Sequence, residues 1–346
     1  MAIFETYIGS FKKGAGAAIL KYAFDSERGT LTALDRYETV RPSYLLLSED
    51  KNTLFCINEA EQVEGEYGGA VESIDLTGGQ MRRISRQSLH AKGPSHLCLH
   101  KGHLIVSVYG EGALVQAKLN ENREILPITC IIKQFGHGVD PERQTQSHPH
   151  FVTPTPCGKY IAVADLGLDK LLFYPFDVEN GLSLGGKTVE SPAGVGPRHM
   201  LYSPDGHLLY VLTEIGNSIL VYRDYKLVYL ISTLPPDWKE LSWGSALRFT
   251  PDKTGIAASN RLNDTIALFN LGNDGIPVLK SHIKTGKWPR DFEFTPDGRH
   301  IIVANQNDDT LVVYRQSGDS YEPCFTAHTD ILPCCVVFGK QINTHI

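Results

Sequence analysis

Histidine, arginine and glutamate side chains recur in this sequence in a pattern that could bind an anion and transfer a proton. The residues concerned are His148, His150, Arg198, His199, Glu214, Arg261 and Arg290. A guanidinium forms paired hydrogen bonds with a carboxylate or a phosphate. Imidazole and carboxylate groups serve as general acids and bases. If the fold brings these residues together, they form a cationic pocket for a small anionic substrate.

The elements that must position these residues belong to a repeat. Each copy has an alternating apolar run, a turn such as Ser203-Pro204-Asp205-Gly206, a second run rich in β-branched residues and a third strand. Four-stranded antiparallel units that repeat at about 45–50 residues are typical of β-propeller blades. The landmark positions of the copies are Pro42, Pro94, Pro149, Pro197, Gly244, Pro289 and Pro333.

Seven landmarks predict an all-β, seven-bladed propeller that forms a single domain over residues 1–346. The last landmark leaves room for one strand, Ile331 to Gly339, and the chain begins with three strand-like runs. We therefore expect one C-terminal strand to complete a four-stranded antiparallel blade with three N-terminal strands, because this closure removes open sheet edges. Leu182 to Val189 is a weakly patterned candidate for a fourth, outer strand. The alternative is a β-sandwich or two smaller β domains.

The blade geometry predicts which side chains meet at one end of the channel. The second strand returns to the face where the first began, so residues about 15 apart should face each other, at about 3.3 Å per residue. The predicted partners are His150 with Asp165, Arg198 with Glu214, Arg290 with Asn305, and Ala246 with Arg261.

The loop from Lys133 to His150 is long for a blade connection, and loops of this kind often bind ligands. It carries Arg143 and the His148-Pro149-His150 sequence. Other interpretations remain open: an Arg–Glu pair can bridge two blades, Asp165 can cap a turn, and His148 and His199 can pack in the core. Two histidines without a carboxylate at ligand spacing are weak evidence for zinc.

Charge, cysteine content and apolar runs indicate which functional classes and compartments to expect. The net charge of −6 argues against nucleic-acid binding. Seven cysteines without a C-x-x-C pattern indicate a reducing compartment, and neither a signal peptide nor a membrane-length apolar run is visible. We expect a cytoplasmic monomer or weak homo-oligomer that uses no cofactor and contacts no membrane.

Six motifs of this sequence resemble those of one family, the seven-bladed propeller lactonases. The family comprises bacterial 6-phosphogluconolactonases of the propeller type and fungal carboxy-cis,cis-muconate cyclases, and the similarity extends from Thr6 to Phe338. The matching motifs are Glu142-Arg143-Gln144, Ser147-His148-Pro149-His150, Ala164-Asp165-Leu166-Gly167, Gly196-Pro197-Arg198-His199, Thr213-Glu214-Ile215-Gly216-Asn217 and Ser259-Asn260-Arg261.

The resemblance implies a set of catalytic residues, because the cyclase branch is thought to use a histidine, two arginines and a glutamate. It assigns these roles to His150, Arg198, Arg261 and Glu214, and it implies that no metal is required. The residues expected to bind substrate are Arg143, His148, Asp165, His199, Arg290 and Asn305.

The function expected from this resemblance is hydrolysis of 6-phospho-D-glucono-1,5-lactone in the pentose phosphate pathway. Either Glu214 or His150 would be the base, and Arg198 and Arg261 would polarise the carbonyl or hold the anionic group. Muconate cycloisomerisation, hydrolysis of an unphosphorylated sugar lactone and a non-catalytic binding propeller are the alternatives.

Overall fold

A computed structural model of the chain describes residues 2–342 and consists almost entirely of short strands. The helical elements of the described residues are two 3-10 turns, Tyr109–Glu111 and Gln306–Asp308. In chain order the strands are β1 (Ile3–Ser10), β2 (Ala18–Asp25), β3 (Thr30–Glu38), β4 (Pro42–Leu47), β5 (Thr53–Asn58), β6 (Gln62–Val63), β7 (Glu66–Tyr67), β8 (Ala70–Asp75), β9 (Arg82–Ser88), β10 (Pro94–His100), β11 (His103–Val108), β12 (Ala113–Leu119), β13 (Ile125–Lys133), β14 (Pro149–Pro154), β15 (Tyr160–Asp165), β16 (Lys170–Asp177), β17 (Gly181–Leu182), β18 (Lys187–Glu190), β19 (Pro197–Tyr202), β20 (Leu208–Thr213), β21 (Ser218–Arg223), β22 (Lys226–Ser232), β23 (Trp243–Phe249), β24 (Gly255–Arg261), β25 (Thr265–Leu271), β26 (Pro277–Lys284), β27 (Pro289–Phe294), β28 (His300–Asn305), β29 (Thr310–Ser317), β30 (Ser320–His328) and β31 (Pro333–Ile342).

These strands form the seven antiparallel blades of a β-propeller. Blade 1 has the order β3-β2-β1-β31, and blade 2 has the order β4-β5-β8-β9 with the β6–β7 hairpin inserted. Blades 3, 5, 6 and 7 are four-strand meanders that begin at β10, β19, β23 and β27, and blade 4 runs from β14 to β18. The prediction of a seven-bladed propeller is therefore confirmed.

The ring closes as predicted, through pairing of β31 with β1. Tyr7 lies opposite Val337 and Ile8 opposite Val336 in this antiparallel pair. The closing strand begins at Pro333 and extends to Ile342, so it is shifted from the predicted Ile331 to Gly339. The outer strand predicted from Leu182 to Val189 is split into β17 and β18, because Gly185 is left-handed and Gly186 lies against the carbonyl of Phe173.

Apolar clusters between neighbouring blades hold the ring together. One cluster joins blade 1 to blade 7 through Ile8, Phe24, Ile302 and Leu311, all fully buried. Each such side chain contributes about 1.5–3 kcal/mol when it is removed from water. Since the clusters fill the space between sheets, the innermost strands are free to present polar side chains to the channel.

A β-bulge at the beginning of the innermost strand recurs in all seven blades, β31 of blade 1 included. The register shifts directly after the first landmark residue, as between Pro149 and Phe151 in blade 4 and between Pro197 and His199 in blade 5. A bulge inserts an extra residue, bends the strand and re-aims the inserted side chain. The residues that directly follow the landmarks, within these bulges, are Ser43, Ser95, His150, Arg198, Ser245, Arg290 and Cys334.

Candidate active site

A cavity of about 390 Å³ is lined by two sets of corresponding blade residues. The first set comes from the bulges and includes Ser95, His150, Arg198 and Arg290. The second set lies at the end of the second strand of each blade. Glu59, Tyr109 and Glu214 directly follow that strand, and Arg261 is its last residue in blade 6. A volume of this size lies within the range of small-molecule sites, about 300–1,000 Å³.

The bulge corrects three of the predicted pairings. Asp165 lies opposite Pro149 rather than His150, Asn305 lies opposite Pro289 rather than Arg290, and Arg261 lies opposite Trp243 rather than Ala246. Because the bulge adds one residue, the facing partner is 16 residues away, as in the Arg198–Glu214 contact.

Glu214 is the centre of the cavity and binds three guanidinium groups. Its Oε2 accepts a hydrogen bond from Arg198 Nε at 2.9 Å and lies 2.7 Å from Arg261 Nη2. Its Oε1 accepts from Arg143 Nη2. Burial alone would raise the pKa of Glu214, but Arg261, Arg198 and Arg143 outweigh it and hold the pKa well below its ordinary value. The carboxylate is therefore fixed in its ionised form with both oxygens occupied.

The same cluster leaves guanidinium groups without full hydrogen bonding. Within residues 2–342, the buried Nε atoms of Arg143 and Arg261 have no hydrogen-bond partner. Buried polar groups are rarely left unpaired unless they serve a ligand or a water. One carboxylate cannot neutralise three guanidiniums, so the cavity carries a net positive charge suited to an anion.

His150 contributes an uncharged imidazole to the cavity. Burial and the charge of Arg198 hold the pKa of His150 well below its ordinary value. Its Nδ1 is buried and makes no hydrogen bond to any residue that the structure describes. A neutral imidazole with an unoccupied ring nitrogen can accept a proton at neutral pH.

Arg290 approaches the cavity from blade 7. Its guanidinium lies 4.0 Å from the ring centroid of Phe11, and Arg41 lies 3.8 Å from the same ring. Arg41 is paired with Glu59 at 3.3 Å. Among the ion pairs of the described residues, Arg290 has no carboxylate partner. Arg290 therefore adds uncompensated positive charge to that of the three arginines on Glu214.

Four aromatic residues that the sequence did not single out complete the walls: Phe11, Tyr109, Trp243 and Trp288. The Arg261 guanidinium lies over both tryptophan rings, at 5.7 and 5.4 Å. The sequence position could have identified the two tryptophans, because each directly precedes a blade's landmark: Trp243 precedes Gly244 and Trp288 precedes Pro289. Trp288 has a positive φ of 61°, a conformation in which a bulky residue is strained.

The long loop before blade 4 is anchored rather than loose. Gln144 is fully buried, and its side chain accepts hydrogen bonds from the backbone of Val139 and Asp140 and donates one to Leu166. This anchoring positions Arg143, which the sequence predicted in the site, against Glu214.

Four further predicted binding residues lie outside the cavity lining. Asp165 accepts hydrogen bonds from Ser147 and from the backbone of His148 and Leu168, so it holds the loop. Asn305 is fully buried and donates to Thr310. Both residues belong to the landmark pairs rather than to the bulge and lie outside the cavity lining, so their assignment to substrate binding stays a prediction without support from this geometry.

His148 and His199 support residues of the lining without reaching the cavity themselves. The His148 ring stacks on Tyr109 with centroids 4.2 Å apart, and its Nδ1 donates to the Tyr109 carbonyl at 2.7 Å. His199 Nε2 accepts from Arg198 Nη1 at 2.9 Å. Both histidines therefore act behind the site, as positioning residues.

The described chain offers neither a metal cluster nor a membrane span. No group of three histidine, cysteine, aspartate or glutamate residues within 2–342 is arranged to hold a metal ion. No helix in that range is long and apolar enough to cross a bilayer.

Comparison with known proteins places the chain in one family. A 6-phosphogluconolactonase of Bacillus subtilis is 25% identical over 295 residues, which cover 82% of this chain and 83% of that protein. The structure of a periplasmic gluconolactonase from Pseudomonas aeruginosa superimposes with a TM-score of 0.90 at 25% identity, over 98% of this chain and 99% of the other. A protein from Lactobacillus plantarum gives a TM-score of 0.89 at 25% identity, with coverage of 98% and 100%. The family model described as lactonase, 7-bladed beta-propeller, matches residues 5–338, and the chain belongs to this family of hydrolases.

Proposed function

We propose that the cavity hydrolyses 6-phospho-D-glucono-1,5-lactone to 6-phosphogluconate, with His150 as the base. The observation that carries the proposal is the union of three features in one cavity: three guanidiniums on one carboxylate, a further unpaired arginine, and a neutral imidazole. The Bacillus subtilis relative supports the choice of a phosphorylated lactone. The expected setting is the cytoplasmic pentose phosphate pathway.

The hydrogen bonds of the site distinguish the two candidate bases. Glu214 has both oxygens bound by arginines, and its pKa is held well below its ordinary value. A carboxylate so stabilised is a weak base. His150 lines the same cavity, and neither of its ring nitrogens has a hydrogen-bond partner within residues 2–342. Because Nδ1 is buried, Nε2 is the nitrogen that can meet a water molecule. His150 is therefore assigned as the base, and Glu214 positions the arginines.

The reaction follows from these roles. His150 accepts a proton from water as the water oxygen bonds to the lactone carbonyl carbon. The negative charge that develops on the carbonyl oxygen is stabilised by the guanidinium of Arg261, which lines the cavity. The bond from that carbon to the ring oxygen then breaks, and protonated His150 returns the proton to the ring oxygen, which leaves as a hydroxyl.

The other arginines differ in their freedom to bind substrate. Arg198 donates to Glu214, His199 and the Ser245 carbonyl, so it orients its neighbours as well as adding positive charge. Arg143 and Arg290 have no such complete set of partners among the described residues and are assigned to the phosphate. Phosphate is recognised well by guanidinium groups.

The test is a hydrolysis assay of the full chain with 6-phosphogluconolactone, gluconolactone and a carboxymuconolactone, each corrected for spontaneous opening. We expect the highest kcat/KM for the phosphorylated lactone. A preference for the unphosphorylated or the muconate compound would assign the arginines to another lactone. Absence of catalysis above the spontaneous rate for all three would contradict the proposal and favour a binding propeller.

A further inference from the structure

The outermost strand of blade 5, β22, exposes a run of apolar side chains. Leu227, Val228, Tyr229 and Leu230 are 41, 46, 39 and 48% exposed. Neighbouring residues of a strand point to opposite sides. Exposure of all four therefore means that solvent reaches both sides of β22, and that the strand forms the free edge of its sheet.

The other blades protect their outermost strands. An unpaired strand edge invites pairing with another chain, and charges, prolines or a short length prevent this. Such protective features are present in each of the other six outer strands: Asp35 and Arg36 in β3, Arg82, Arg83 and Arg86 in β9, Pro127 in β13, only four residues in β18, Lys280 and Lys284 in β26, and Glu322 and Pro323 in β30. In β22 the residues from Leu227 to Ser232 include no charge and no proline.

The backbone of β22 is paired on one side only. Its sheet partner is β21, with Ser218 opposite Ser232 and Leu220 opposite Leu230, and Val228 is the extra residue of a β-bulge. The outer strands β3, β9, β13, β26 and β30 carry a similar bulge, so β22 differs from them in its lack of charges and prolines and not in this feature. β22 is the last strand of the order β19-β20-β21-β22, so its outer N–H and C=O groups face away from the blade. The edge thus combines unpaired backbone groups with apolar side chains.

We propose that β22 pairs in the antiparallel direction with β22 of a second copy of this chain, about a twofold axis at Tyr229. The strand is self-complementary in this register. Leu227 faces Ile231 of the partner, and Val228 faces its Leu230, while the single charge, Lys226, faces Ser232. Two four-stranded blades become one continuous sheet, and no like charges oppose each other.

The charges beside the strand favour the same pairing. Arg223 and Lys226 stand at its beginning, together with Asp224, and all three are exposed. The loop after its end carries exposed Asp237 and Glu240, with Lys239. In an antiparallel twofold pair the beginning of one strand lies beside the end of the other, so a mainly basic end meets a mainly acidic one.

Sedimentation equilibrium of the full chain tests this pairing. We expect the wild-type protein to show a concentration-dependent dimer below ~100 μM, since an interface of one strand edge is small and binds weakly. The variant Val228→Lys/Leu230→Lys places lysine opposite lysine twice and should be monomeric at every concentration. The variant Val228→Lys/Leu230→Glu places opposite charges across the axis and should recover the dimer.

The matched control is Val278→Lys in β26, which changes an equally apolar and 59% exposed residue on another outer strand. It should dimerise like the wild type, and circular dichroism should show that all variants are folded. A wild-type monomer would overturn the proposal and leave the edge to a strand of another protein. A dimer that persists in the double-lysine variant, or one that the Glu variant fails to restore, would overturn it as well.

Discussion

This propeller contains two clusters of arginines and carboxylates, one around Arg248 between blades 6 and 7 and one around Glu214 in the cavity, and their charges differ in sign. Arg248 is bound by two carboxylates, Asp291 at 2.6 Å and Glu293 at 2.9 Å. In the cavity, three arginines share the single carboxylate of Glu214. The first cluster has an excess of acid and the second an excess of base.

The pKa shifts of the two buried arginines follow this difference. Burial disfavours the charged form of Arg248, but Asp291 and Glu293 outweigh it and raise its pKa. Burial and the nearby charge of Arg261 lower the pKa of Arg198, and Glu214 only partly opposes them. The Arg248 cluster has a carboxylate partner for its guanidinium on the neighbouring blade, whereas under the proposed function an anionic substrate completes the Glu214 cluster. If the proposed function holds, the same residue types stabilise the fold in one cluster and bind substrate in the other.

The largest effect on catalysis is expected from the base. His150→Ala should lower kcat by about 10²–10⁴-fold, the usual contribution of a general base. Thermal unfolding should show that the variant is folded. His100→Ala is the matched control, because His100 ends the innermost strand of blade 3 and contacts Gly158 rather than the cavity. Its kcat should equal that of the wild type, and an active His150→Ala would rule out this base.

A smaller effect on catalysis is expected from a change of Arg290, which has no carboxylate partner among the described residues. Arg290→Gln should raise the KM for the phosphorylated lactone by about 10–100-fold, since a hydrogen bond to a charged group contributes about 1.5–3 kcal/mol. The KM for unphosphorylated gluconolactone should change little. Steady-state kinetics with both substrates measure this difference, and equal losses for both would show that Arg290 does not bind the phosphate.

The smallest effect on catalysis is expected from a change in the Arg248 cluster. Arg248→Met leaves the buried Asp291 and the half-buried Glu293 without a counter-charge, so the free energy of unfolding should fall by about 3 kcal/mol, the lower end of the cost of breaking a buried ion pair. Chemical denaturation measures this loss. The folded fraction should keep the wild-type kcat/KM, because Arg248 does not line the cavity. A loss of activity without a loss of stability would reverse the roles of the two clusters.

The repeat predicted the fold and the ring closure because each blade carries its own landmarks. Arg198 and Glu214 were predicted as partners and are in contact, whereas Asp165 and Asn305 were predicted to face His150 and Arg290 but lie opposite Pro149 and Pro289, outside the cavity lining. The spacing of 15 does not include the bulge, which depends on backbone pairing and has no residue type of its own. Phe11 could not be predicted either, since it reaches the site only when β31 pairs with β1 and the Leu332 carbonyl fixes the Phe11 amide.

The sequence also could not predict how many carboxylates contact each arginine. Arg248 and Arg198 both lie on the innermost strand of their blade, and only the structure shows which carboxylates each one contacts. Side-chain partners on different blades are separated by dozens of residues, as Arg143 and Glu214 are by 71. No local pattern encodes such a contact.

The pH profile of kcat/KM for the wild type and Glu214→Gln tests the assignment of the base most directly. In the wild type, activity should fall only well below pH 6.5, as His150 becomes protonated. Glu214 raises the pKa of His150, whereas Arg198 and Arg290 lower it. Glu214→Gln should therefore be slower but keep the acidic limb, displaced to lower pH. Loss of that limb in Glu214→Gln would identify Glu214 as the base and contradict the account.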